Sequence, residues 1–157
     1  MNKGATFSAD RKYRYRLWRI WDDRKPMLLN ISLNPSDADE NRDDPTTTRM
    51  MWRAGAGGFG GVYMANLYAL VDPIPSRMIH NPDPVGPDND RHLRAMIGKA
   101  GKVICSWGSL VNTVLRAAEV LKMIPEPYCL GFTKTTGQPR HPLYVAYSTP
   151  FIRWVRI

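Results

Sequence analysis

The residues best equipped for chemistry in this chain are one histidine, two asparagines and a run of carboxylates. His141, in Arg140-His141-Pro142, is one of three histidines, the others being His80 and His92. Imidazole changes charge near neutral pH, so His141 can donate or take a proton there; as a structural group it would simply join a turn to a strand. Asp37, Asp39, Asp43 and Asp44 crowd one loop. Carboxylates so placed can activate water, hold a cation against a phosphate, or only solvate the loop; Asp39 is the favoured candidate. Asn34 and Asn66 each offer two amide donors and a carbonyl acceptor. Asparagine is a weak base, so what it adds to a reaction is positioning. The plainer readings are a turn signal for Asn34-Pro35 and a buried tie between loops for Asn66.

Periodicity supplies the elements that must position these groups. Tyr13 to Trp21 alternates aromatic or apolar residues with arginine, the pattern of a half-exposed strand whose arginines point to solvent. Met27 to Leu33 is mostly apolar and stops at Asn34-Pro35, as a buried central strand that delivers a loop at its C-terminal end does. Asp44 followed by Pro45 signals a helix start, with the helix running through Arg49 to Ala54. Gly55 to Gly61 ends it, and Val62 to Tyr68 has strand composition. Strand, helix and strand in this order predict a right-handed parallel crossover. The glycine cluster follows a helix and lacks GK[ST], so it does not read as a phosphate loop.

Residues 72–90, rich in Pro, Asp and Asn, form a long irregular connection into a helix through Arg91 to Ile97. Lys102 to Trp107 reads as a third buried strand. Ser109 to Lys122 has helical spacing at Leu110, Val111, Val114, Leu115, Ala118 and Leu121. Tyr128 to Phe132 follows as a fourth parallel strand, and a basic loop, Lys134 to Pro142, precedes an aromatic tail. The expected fold is a three-layer α/β/α sandwich with a central, mainly parallel four-stranded sheet. The loops after Leu33, Leu67, Trp107 and Phe132 would then surround one site.

Bulk properties narrow the partners. The 157 residues suit one soluble domain, 1–157, opened by a basic, aromatic segment at 1–26. Lys plus Arg total 22 against 14 Asp plus Glu, a net charge of +8 that favours a polyanionic partner over mere solubility. Eight of the basic residues fall within the first 25 positions, and arginine suits phosphate through its bidentate fork. Cys105 and Cys129 form no CxxC pair and have no histidine beside them, so no metal is expected. Cys105 reads as a buried, inert thiol, and the cysteine usage agrees with a reducing cytoplasm. No apolar run approaches bilayer length, and no signal-peptide core opens the chain.

An ordered set of motifs resembles the family of unknown function numbered 1643. It comprises Leu33-Asn34-Pro35-Ser36 with Ala38-Asp39, Asp44-Pro45-Thr46 with Arg49, Asn66-Leu67, Pro84-Val85-Gly86-Pro87 with Asn89-Asp90, Trp107-Gly108, and Pro139 to Tyr144. The same residues resemble the uracil-DNA glycosylases, above all the mismatch-specific branch. Ile31 to Ser36 is similar to the first superfamily motif, a strand ending in Gly-x-Asn-Pro-Gly in that branch, with Ser32 and Ser36 at the glycine positions. Thr48 to Trp52 falls at its Arg-Phe-Trp helix start, Asn66 at its base-contacting asparagine and His141-Pro142 at its second catalytic motif.

That resemblance implies a glycosylase-like fold and hydrolysis of an N-glycosidic bond in DNA after the base is flipped out. Such a reaction builds positive charge on the sugar and negative charge on the departing base. Asn34 would position water, with Asp39 as the alternative activator, and His141 would donate to a carbonyl oxygen of the leaving base. Asn66 would read the base edge, with Trp52 and Tyr68 stacking on it. Ser36, Arg49, Lys134 and Arg140 would meet the DNA backbone. The expectation is a cytoplasmic monomer with DNA as partner and no cofactor. Two rivals stay open: a nucleotide- or base-modifying enzyme using the same pocket, and a noncatalytic nucleic-acid-binding module.

Overall fold

The apolar runs become neighbouring strands of one sheet, and the helices between them cover its two faces. The computed structural model describes residues 1–110 and 112–155. In chain order the elements are β1 (Asn2–Phe7), β2 (Arg14–Ile20), β3 (Met27–Ser32), α1 (Pro45–Ala56), β4 (Gly61–Asn66), α2 (Pro75–Met78), α3 (Asn89–Lys99), β5 (Lys102–Cys105), α4 (Val114–Leu121), β6 (Pro127–Cys129), a 3-10 turn at Pro142–Tyr144, and β7 (Ile152–Arg153). The fold is mixed α/β, with four helices and one seven-stranded sheet ordered β1-β2-β4-β3-β5-β6-β7 among the described residues.

β4, β3, β5 and β6 run parallel; β2 pairs antiparallel with β4 and β7 with β6, and β1 pairs antiparallel with β2 at the sheet edge. The four strands expected from the sequence are therefore part of a wider sheet. β1 lacks an apolar alternation of its own and exists by pairing with β2. Its Gly4 lies so close to the Trp18 ring that a side chain there would collide with it. β7 is only two residues long, too short for any periodicity to announce it.

Alternate residues of the inner strands feed two cores. Leu28, Val62, Met64 and Ile104 pack with Met50 and Ala54 of α1 on one face. Leu29, Ile31, Ala65, Val103 and Cys105 pack with Leu93 and Met96 of α3 and Val120 of α4 on the other. α1 starts where the sequence signals it: Asp44 Oδ1 accepts from Thr47 N at 2.8 Å and Pro45 takes the first turn.

Three expectations change. Arg14 and Arg19 of β2 are buried instead of facing solvent, because the loop at 37–44 folds over them. The helix expected from Ser109 begins at Val114, since Asn112 adopts a left-handed φ of 72° that no helix continues through; Val111 lies outside the described residues. The fourth strand stops at Cys129, ahead of Gly131 at φ 103°. Among the described residues no helix is long and apolar enough to cross a membrane.

Candidate functional site

β3 sits between β4 and β5, and the chain leaves β3 for one face of the sheet and β5 for the other. Beyond the C-terminal strand ends such a divergence opens a crevice. Register sets its floor, for Ser32 pairs beside Asn66 and Ile31 beside Cys105. Two adjoining chambers fill it, sharing Ser32, Asn34, Ser36, Thr46 and His141. The inner one, about 70 Å³, adds Arg14, Asp44, Thr47, Met64 and Asn66. The outer one, about 340 Å³, adds Asp72 and an apolar wall that includes Trp107, Leu143 and Tyr144. A separate cavity of about 180 Å³ beside α3, between Arg16 and Lys99, holds none of the sequence candidates.

Asn34 is oriented by its nitrogen. Nδ2 donates to Asp72 O at 2.8 Å and Pro35 O at 3.1 Å, which leaves Oδ1 as the acceptor the residue offers the cleft. His141 is oriented by the opposite logic. Its Nδ1 accepts from Leu143 N at 3.2 Å, so the proton of the neutral ring sits on Nε2. Burial pushes the His141 pKa below its ordinary value, and the Asp44 carboxylate opposes that only in part. His141 is thus a neutral imidazole at neutral pH, lining both chambers with its proton on Nε2.

Asn66 is 3% exposed at the end of β4. Its carbonyl and that of Leu67 each accept from Asn89 Nδ2 at 3.1 Å, and Arg116 Nε also donates to Leu67 O, at 2.9 Å. These bonds hold the strand end, while Asn66 Nδ2 has no partner among the described residues. Arg14 is 4% exposed; Nη1 donates to Ala38 O at 2.8 Å and Nε is unpartnered. Burial lowers its pKa to about 10, opposed by Asp44 and Asp39, so it keeps its charge at neutral pH. Below the floor, Asn30 Nδ2 donates to Ser32 Oγ at 2.8 Å and Ser106 Oγ donates to Asn30 Oδ1 at 2.7 Å. Ser32 therefore closes a buried polar network with Asn30 and Ser106.

Of the residues singled out from the sequence, the fold gathers Asn34, Ser36, Asn66 and His141 around one cleft. Ser36 Oγ lies 3.4 Å from Asp44 Oδ2. Asp39 stands off the cleft, its carboxylate capping the amides of Asn41 and Arg42, which lowers its pKa. Trp52 is exposed and packs edge-on against Tyr147, while Tyr68 is buried in the core; neither lines a chamber. Arg49 donates to Val145 O and Arg140 to Tyr144 O, both near the mouth, and Lys134 is exposed on the preceding turn. Asp44, one of the four loop carboxylates, is the one that lines the cleft, and Arg14, Trp107 and Tyr144 are cleft residues to which the sequence assigned no role in a site. Among the described residues no group of three His, Cys, Asp or Glu side chains is placed to hold a metal ion.

The fold and cleft define a mixed α/β protein with a donor-rich polar site at the ends of its parallel strands. Residues 14–143 match the family described as a protein of unknown function (DUF1643), and the chain belongs to it. No curated protein and no solved structure matches the chain.

Proposed function

We propose that this protein is a DNA base-processing enzyme of uracil-DNA-glycosylase-like α/β/α architecture. It hydrolyses the N-glycosidic bond of a uracil-like, modified or damaged base flipped into the cleft. The observation that carries this reading is the polarity of the cleft: an acceptor at Asn34 Oδ1 and donors at His141 Nε2 and Asn66 Nδ2 around one cavity.

Hydrolysis needs that combination. Water held by Asn34 Oδ1 adds its oxygen to the sugar C1′ as the C1′–N bond breaks. The electron pair leaves with the base and spreads onto its carbonyl oxygen. The Nε2–H of His141 stabilises that oxygen, and the water's second proton passes to the base nitrogen or to solvent. A neutral histidine suits the role, since it donates without adding a full charge beside Arg14. At the mouth, Tyr144 is 77% exposed, with Arg140 bonded to its carbonyl and Arg49 to that of Val145, basic and aromatic surroundings that suit a DNA strand. Both cysteines are buried, in keeping with a reducing cytoplasm.

The test is incubation with oligonucleotides bearing uracil, hydroxymethyluracil, hypoxanthine or hypermodified pyrimidines, with abasic sites read by alkaline strand cleavage. Cleavage reduced about 100-fold or more in Asn34→Ala and in His141→Ala is the expected result. Cleavage indifferent to both substitutions, or none on any base, overturns the proposal; salt-sensitive binding without cleavage would mark a binding module instead.

A further inference from the structure

The cavity beside α3 lies toward the opposite end of the parallel strands from the cleft. Met27, the first residue of β3, lines it, whereas Ser32, the last, lines the cleft, and the two sites share no residue. Buried Leu29 of β3 and half-buried Tyr63 of β4 form its sheet side. Met96 and Lys99, three residues apart on one face of α3, lie across from them, and Arg16 of β2 completes the wall.

The charges lining this cavity are of one sign, for Arg16 and Lys99 contribute to it and no Asp or Glu does. Arg14, Arg19, Arg53 and Arg116 all spend Nη groups on carbonyls or carboxylates of the fold. Arg16 does not. Its Nε donates to His92 Nδ1 at 2.7 Å, and His92 is itself fixed by stacking on Tyr15 with ring centroids 4.8 Å apart. Among the described residues no hydrogen bond or ion pair engages the two Nη atoms of Arg16 or the Lys99 ammonium. Arg16 is half-buried and Lys99 exposed, and neither has a buried, unpartnered nitrogen, so these groups stay open to a solute. Lys99 also offsets the negative end of α3, which makes Arg16 the more telling of the two.

We infer that this cavity binds a small aromatic monocarboxylate, its carboxylate on the free Nη pair of Arg16 and its ring among Met27, Tyr63 and Met96. The planar guanidinium, held from behind by His92, presents two parallel donors to a carboxylate. Thioethers beside a tyrosine ring adapt to a flat apolar body and make favourable sulfur–aromatic contacts. A cavity of about 150 Å³ takes a benzene. At about 180 Å³ this one takes a single ring with its carboxylate at the rim and is too small for a nucleotide. Nothing in the inference needs the cleft, so it stands or falls apart from the proposed function.

The experiment is an NMR titration of the full chain, labelled with carbon-13 at its methionine methyls, with benzoate, benzamide and acetate. Met27 and Met96 line this cavity and Met64 lines the inner chamber of the cleft, so the methyl signals separate the two sites. Benzoate should shift Met27 and Met96 with a Kd of about 1 mM or tighter while Met64 stays still. Benzamide, which has the ring without the charge, should bind at least about tenfold more weakly, and acetate, which has the charge without the ring, should shift neither signal. Arg16→Gln should weaken benzoate about tenfold and leave benzamide unchanged, and Lys99→Gln, at an exposed position, should weaken benzoate by a smaller factor. Equal binding of benzoate and benzamide refutes the inference without recourse to any variant. So does the absence of a shift at Met27 and Met96, movement confined to Met64, or undiminished benzoate binding by Arg16→Gln.

Discussion

Replacing Arg19 with methionine separates arginines that build the fold from those that, under the proposed function, would meet a nucleic acid. Arg19 is fully buried. Its Nε donates to Asp43 Oδ1 at 2.7 Å, Nη2 to Asp39 O at 2.6 Å and Arg42 O at 3.2 Å, and Nη1 to Trp18 O at 2.9 Å. Methionine refills most of the stem and removes every one of these bonds. Counted singly at about 1.5–3 kcal/mol, they would sum to a large part of a stability of about 5–15 kcal/mol. They share one group and are not additive. Removing one partner of a buried ion pair costs about 3–5 kcal/mol. Asp43 keeps 29% of its side-chain surface in water and recovers some solvation, which places the expected loss near 3 kcal/mol.

With a urea m-value of about 2 kcal/mol/M, that loss moves the unfolding midpoint down by about 1.5 M. A double-mutant cycle with Asp43→Asn should show coupling of at least about 1 kcal/mol. Under conditions where both proteins are folded, the salt dependence of DNA binding should not change. Lys134→Ala and Arg140→Ala, at exposed positions, should leave stability alone and flatten the salt slope by about 0.7–0.9 for each phosphate left unneutralised. A loss below about 1 kcal/mol together with a flatter salt slope in Arg19→Met would refute the assignment of Arg19 to the fold.

Two further outcomes follow from single side chains. Because burial depresses the His141 pKa below the ordinary 6.5, the folded state binds fewer protons than the unfolded one. Stability is therefore complete above that value and falls as acid pushes toward the folded pKa; His92, depressed by burial and by Arg16 and Arg91, adds to the same loss. Activity should hold as pH drops through 6.5 and decline only below it, and an imidazole NMR titration of His141 at or above 6.5 would contradict this. Asp44→Ala removes the cap on Thr47 N, at a cost of about 1 kcal/mol. It also removes the carboxylate that offsets Arg14, so calorimetry should detect a gain in phosphate affinity; no gain would mean that Asp44 does not set the charge of the chamber.

What could be read from the sequence was local. The Asp44 cap and Pro45 fix the start of α1 within one turn of chain, and the apolar runs of β3 and β4 announce themselves. Asn34 and His141 lie on loops at strand ends and Asn66 is the last residue of β4, and strand order brings these ends together. Arg14, Arg16 and Arg19 look alike in the sequence; which of them is buried depends on a loop some twenty residues away folding over β2. β1 and β7 depend on partners for their existence. Trp52 and Tyr68 have the composition of base-stacking residues, but one turns outward on α1 and the other into the core.

The division of the cleft bears on whether it serves chemistry or grip. A module that only holds a DNA strand needs a basic rim and nothing behind it, since backbone contacts supply its affinity. Behind this rim lies a chamber with two unpartnered donors, each costing about 1–3 kcal/mol in a fold whose whole margin is about 5–15 kcal/mol. Filling it with apolar side chains would stabilise the protein, so retaining the donors has to return something in the bound state. The same economy governs His141 and Asn34, whose Nδ1 and Nδ2 are committed to backbone groups so that one donor and one acceptor remain for a ligand. Under the proposed function that acceptor would hold water and that donor would meet a departing oxygen, a pairing that suits hydrolysis more than it suits a strand resting on the surface.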